Sequence, residues 1–121
     1  MESENKSRGV DQFLLEQIES VPHLEALLLL WNSRPRPWPV IDVAKALFIA
    51  PEAARGVLED LAVRRLILPV RGESGRYHYA SDTNRDCLLL AVDTAYRCEL
   101  VRISRLIHSK PLPRIDRPIT R

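Results

Sequence analysis

At 121 residues, 45% of them hydrophobic, the chain is long enough for one packed domain and too short for two comfortable ones. No apolar run approaches the roughly 18 residues of a membrane span, and the polar segment MESENKSRG has no signal-peptide core, so a cytoplasmic protein is expected. Two cysteines give no disulfide framework, and a net charge of +2 selects no partner by itself.

The charge is unevenly placed. Residues 1–20 hold two positive and five negative side chains, residues 102–121 six positive and one negative, and the middle ten of each. A basic end of this kind favours phosphate or an acidic partner, or serves solubility alone.

Residues 1–9 are polar and aperiodic and are expected to be irregular. Phe13, Leu14 and Ile18 then predict a short helix ending near Ser20, so residues 1–19 form an arm with a short helix. Ser20 can cap a second helix over 21–32, whose stripe is Leu24, Leu27, Leu28 and Trp31. The connector SRPRPWP, with three prolines from Pro35 to Pro39, stops that helix. Trp38 can anchor it to the core as a small first strand.

A helix over 40–47 burying Val43, Ala44 and Leu47 follows, then a turn at Phe48, Ile49 and Ala50. Pro51 suits the first turn of the next helix, expected over 51–65, and Glu52 suits the positive end of its dipole. Residues 66–71 and 76–80 read as two strands around Gly72 and Gly75, which permit a tight hairpin. Tyr77 and Tyr79 share one face of the second strand, with Arg76 and His78 on the other. Asp82 or Ser81 can cap a single long helix over 83–109, roughly 40 Å in length, whose band is Leu89, Val92, Tyr96, Leu100, Ile103 and Ile107. The segment KPLPRIDRPITR, 110–121, is a basic proline-rich tail.

Helix, small strand, two helices about a tight turn and a hairpin form the layout of a winged helix-turn-helix. The expected class is therefore mainly α: a winged helix-turn-helix with a small β-hairpin wing over 20–81 and a long C-terminal dimerisation helix over 82–109. Within 20–80, half the chain, Val43-Ala44, Ala50-Pro51-Glu52, Leu58 with Leu61, and Arg65-Leu66-Ile67 resemble the bacterial winged-helix regulators, broadly the MarR-like and PadR-like groups. Arg65 stands where such proteins often have glycine. A long dimerising helix after the wing is similar to the PadR-like arrangement. The resemblance implies a homodimeric transcriptional regulator that binds double-stranded DNA; it is a likeness of fold, and function drawn from it is analogy.

In such regulators the helix after the turn reads bases and the wing grips the backbone. With Leu58 inward, steps of about 100° put Glu52, Gly56, Glu59 and Val63 on the outer face, flanked by Arg55 and Asp60. Carboxylates there are repelled by phosphate. The wing suits DNA better: Arg71, Arg76 and His78 can meet phosphates, with Arg64 and Arg65 near its root and Arg55 on the helix. Arg34 and Arg36 in the connector are a weaker pair. The alternative is a winged-helix module that binds a protein, through the acidic helix face or the apolar band of the last helix.

Cys87 and Cys98, three helical turns apart, share a face as small interface residues or as a redox or metal switch. About 16 Å separates them, too far to bond within one helix. His23, His78 and His108 lie in different elements without zinc spacing, so no metal site is expected. There is no glycine-rich phosphate loop, nucleophile motif or concentrated carboxylate–histidine set; neither an enzyme nor a cofactor is expected.

Overall fold

The computed structural model describes residues 2–72 and 75–109. The tail over 110–121 and the hairpin residues Glu73 and Ser74 lie outside them. The chain is mainly helical, with a small antiparallel sheet. In order it has α1 (Glu2–Gln17), α2 (Val21–Asn32), β1 (Trp38–Pro39), α3 (Val40–Leu47), α4 (Pro51–Val63), β2 (Ile67–Pro69), β3 (Arg76–Tyr79), α5 (Thr83–Cys98) and α6 (Leu100–His108). No helix among the described residues is long and apolar enough to cross a membrane.

The expected middle elements form close to their expected bounds, and their ends show why. Ser20 caps α2, its hydroxyl accepting the His23 N–H, and Asp82 caps α5 through the Arg85 N–H at 3.0 Å. Both α3 and α4 end in a left-handed residue. Phe48 has φ 58° and Arg65 φ 63°. Beyond each, the next N–H reaches back across the last turn, Ile49 to the Ala44 carbonyl and Leu66 to the Leu61 carbonyl, both at 3.0 Å. This is the bond pattern of a Schellman stop, which favours glycine at the left-handed position. Arg65 occupies that position at a steric cost. Arg65→Gly is therefore expected to stabilise the fold by about 1 kcal/mol, raising Tm by about 4 °C; a lower Tm in a thermal melt would mean that the arginine side chain contributes more than its backbone loses.

β3 is the central strand, in the order β1-β3-β2. Trp38 pairs with Tyr77, and Ile67 with Tyr79. The alternation expected for β3 holds: Tyr79 is buried and Tyr77 half-buried on one face, and Arg76 is exposed on the other. One core joins all layers, including Leu14 and Ile18 of α1, Leu24 and Leu27 of α2, Leu58 and Leu61 of α4, and Leu89 of α5.

The two ends of the chain depart from expectation. α1 begins at Glu2, so residues 2–9 are helical rather than irregular. Val10, Phe13 and Leu14 supply a buried helical nucleus, and adding turns to an existing helix costs little. α1 packs against both α5 and α6.

The long final helix is broken at Glu99, whose backbone (φ −132°, ψ 49°) is not helical. The break changes the phase of the apolar band. Ile103 and Ile107 are buried beside α1, while Leu100 is 51% exposed. Arg102 holds the bend by donating to Glu99 at 2.6 Å and to Asp11 of α1 at 3.2 Å. Burying two isoleucines is worth about 3–6 kcal/mol, against about 1 kcal/mol for each helical hydrogen bond lost, so the bend wins.

Two tyrosines, Tyr79 buried and Tyr96 half-buried, make the fold sensitive to alkali. The Tyr96 hydroxyl donates to Glu25 of α2 at 2.8 Å. Burial first, and then the neighbouring carboxylate, push its pKa from 10.0 up to about 12. Tyr79 is raised too, chiefly by burial and then by Asp86, with Arg85 opposing. Both folded-state values lie above the unfolded value. The stabilisation is thus complete below pH 10 and is lost as pH climbs toward 12. For the partly exposed Tyr96 we expect a loss of about 1 kcal/mol. Tyrosinate absorbance should rise together with the loss of helical circular dichroism, and Tyr96→Phe should shrink the pH dependence. A tyrosinate transition near 10 with the helix signal intact would contradict this.

Candidate nucleic-acid interface

The β2–β3 hairpin presents two exposed arginines that the sequence anticipates. Arg71 lies at its turn and Arg76 opens β3, both exposed. The Val70 N–H donates to the Arg76 carbonyl, and the Val40 N–H to the Gly75 carbonyl, each at 2.9 Å. The second bond fastens the hairpin to the start of α3. His78 lies on the same strand face as Arg76, but it is half-buried and its Nδ1 lies 3.1 Å from the Tyr79 carbonyl oxygen.

The connector adds two more held cations. The Arg34 guanidinium stacks over Trp31 with 4.5 Å to the ring centroid, and Arg36 over Trp38 with 4.4 Å. Arg34 also donates to the Trp31 carbonyl at 2.6 Å, and the Trp38 indole donates to the Ser33 hydroxyl at 2.8 Å. The pairing of β1 with β3 places Pro39 opposite Arg76, so the connector leads directly to the hairpin. The stacking signal is legible only after folding, because arginine and tryptophan frequencies say nothing about who meets whom.

Arg64 does not join this group. It donates to the Glu16 carbonyl at 3.2 Å and to the Glu19 carboxylate at 3.1 Å, tying α4 to α1. Its position after the last turn of α4 points it at the α1–α2 corner. Arg55 is exposed on α4 among Glu52, Gly56, Glu59 and Val63, all exposed as their spacing implies. This face is net acidic, with one arginine against two glutamates. Asp60 is drawn away from it by His23. Phe48, the left-handed residue that ends α3, is 93% exposed, and Val63, the last residue of α4, is 81% exposed. Phe48 also edges a groove of about 510 Å³ bounded by Leu29, Leu47, Asp93 and Tyr96.

The six residues expected at a dimer interface divide. Leu89, Val92, Ile103 and Ile107 are buried in the chain's own core. Tyr96 is half-buried and bonded to Glu25, and only Leu100 is well exposed. A band read along a straight helix therefore does not describe the outer surface of a bent one.

His23 is a polar centre that spacing did not reveal. It is 8% exposed, with Nδ1 2.6 Å from the Ser20 hydroxyl and Nε2 2.9 Å from Asp60. Glu19, His23 and Asp60 each bring one potential metal-ligand atom within 4.8 Å of the others. Arg64 already neutralises Glu19, and both ring nitrogens of His23 have partners. The cluster therefore has a structural account as the polar tie between the α1–α2 corner and α4. His23 and Asp60 are 37 residues apart in the chain, so no local motif signals their contact.

Comparison of the chain with protein-family models, with curated proteins and with solved structures finds no match.

Proposed function

We propose that the chain is a winged helix-turn-helix protein that binds double-stranded DNA, with Arg71 and Arg76 of the hairpin as the main phosphate contacts and a homodimer as the working form. One observation carries the reading. A two-residue strand between α2 and α3 pairs with the second strand of a hairpin that follows α4, giving the order β1-β3-β2. That arrangement holds the hairpin with Arg71 and Arg76 beside the α3–α4 pair, which supports the winged-helix reading, in which such a hairpin addresses the duplex. The stacked Arg34 and Arg36 extend the cationic side toward the connector. The net acidic face of α4 is a poor base reader, so the reading rests on phosphate contacts by the hairpin, which carry affinity without sequence information. A dimer of such units suits a pseudo-palindromic site with half-sites about one helical turn apart. Regulation of transcription in the bacterial cytoplasm follows by analogy of fold.

A protein-binding module is the second reading, favoured by the exposed Phe48 in the turn before α4 and the exposed Val63 at the end of its acidic face. Fluorescence anisotropy with a mixed pool of genomic duplex fragments separates the two. DNA binding predicts saturable retention at low salt that falls steeply as salt rises. Absence of any retention at low salt would overturn the first reading and leave the second.

A further inference from the structure

Arginines elsewhere in the fold are oriented by carboxylates: Arg64 by Glu19, Arg97 by Asp93, and Arg102 by Glu99 and Asp11. The connector between α2 and α3 orients two more by other means. Arg34 is held by the Trp31 ring and carbonyl, and Arg36 by the Trp38 ring. Among the described residues neither pairs with a carboxylate. Between Glu25 and Asp42 the sequence has these two arginines and no acid. A carboxylate that orients a guanidinium also cancels its charge, whereas an indole face orients it and leaves the charge in place.

The mounting is rigid. Pro35, Pro37 and Pro39 restrict the backbone, and the Arg36 N–H donates to the Ser33 carbonyl at 3.0 Å. The Ser33 hydroxyl, which accepts from Trp38, donates in turn to the Leu29 carbonyl at 2.6 Å, tying the loop to the last turn of α2. Stacking occupies the face of a guanidinium, while its N–H donors lie in the plane. Among the described residues one such donor, on Arg34, is spent on the Trp31 carbonyl. Both arginines are exposed. Charged, fixed, in-plane donors match the oxygens of a phosphate. Trp31 is 5% exposed, Trp38 is half-buried, and each already carries a guanidinium, so neither ring is a platform for a base.

We propose that Arg34 and Arg36 form a phosphate clamp that grips the backbone of duplex DNA beside the contacts of the hairpin. The clamp rests on the DNA reading above and adds a second contact, on the far side of β3 from β2. It supplies affinity and no sequence preference.

The chain has two tryptophans, both stacked by these arginines, so tryptophan emission reports on the clamp directly. The full chain is titrated at constant ionic strength with the mixed duplex pool and, separately, with inorganic pyrophosphate. Excitation is at the red edge of tryptophan absorption, clear of the bases. Both ligands should change the emission saturably. Arg34→Gln with Arg36→Gln should abolish the pyrophosphate response and reduce the slope of log K against log salt for the duplex by about 2. Circular dichroism should be unchanged; if this pair melts, Arg36→Gln alone should reduce the slope by about 1. Arg34→Lys with Arg36→Lys keeps the charge and should keep the slope. A lysine variant that loses as much slope as the glutamine variant would make the arginines structural and overturn the clamp. So would an unchanged slope in the glutamine variant while Arg71→Glu with Arg76→Glu lowers it, and the DNA reading would then stand without the clamp. A pyrophosphate response with no duplex binding would keep the phosphate site and overturn the duplex as its occupant.

Discussion

Replacing Ile103 with aspartate is expected to unfold the protein under conditions where the wild type is folded, while the same change at Leu100 leaves it folded. Ile103 is fully buried beside α1, and Leu100 is half exposed three residues earlier. Truncating a buried isoleucine typically costs about 2–5 kcal/mol, and an unpaired carboxylate in the same space adds to that. A domain of this size is stable by only about 5–15 kcal/mol, so the loss is a large share of the whole. At Leu100, the first residue of α6, an aspartate instead meets the positive end of the helix dipole and should be neutral or mildly stabilising. Thermal melts decide between a bent and a straight C-terminal helix. A straight helix would place both residues in one band, and the two variants would then melt alike.

That contrast shows where sequence periodicity stops being informative. The middle of the chain was legible because each element carries its own punctuation: Ser20 before α2, the prolines around Trp38, Pro51 at the start of α4, and glycines at the hairpin. Such signals act within a few residues, and the fold obeys them. The bend at Glu99 has no glycine or proline to announce it. It follows from the contact of α6 with α1, a residue separation of about ninety positions bridged by Arg102 and Asp11. The helical start of α1 has the same origin, since its packing partners lie at the other end of the chain.

The candidate interface was legible in the same partial way. Alternation along β3 places Arg76 outward and Tyr79 inward, and helical spacing exposes Glu52, Arg55 and Glu59 on α4. Arg64 shows the limit. Position at the root of a hairpin says nothing about which way a long side chain turns, and here Glu19 and the Glu16 carbonyl draw it toward α1. His23 is similar: its spacing to other ligand-type residues is uninformative, while its two buried partners come from the α2 cap and from α4.

Reversing both hairpin arginines, Arg71→Glu with Arg76→Glu, is expected to weaken DNA binding at least about 100-fold at low salt and to reduce the slope of log K against log salt by about 2. Each phosphate contact releases counterions, so losing two contacts appears in the slope as well as in the affinity. Repulsion by the new carboxylates lowers the affinity further. Arg64→Ala provides the contrast. Because Arg64 is engaged by α1, its loss should lower Tm while leaving the salt slope unchanged. Glu52→Gln with Glu59→Gln tests the face of α4 from the opposite side. If that face lies near phosphates, removing two negative charges should tighten binding. If it is instead the contact for a protein partner, DNA affinity should not move. An unchanged slope in the double arginine reversal would mean that the hairpin does not carry the phosphate contacts, and the DNA reading would lose its main residues.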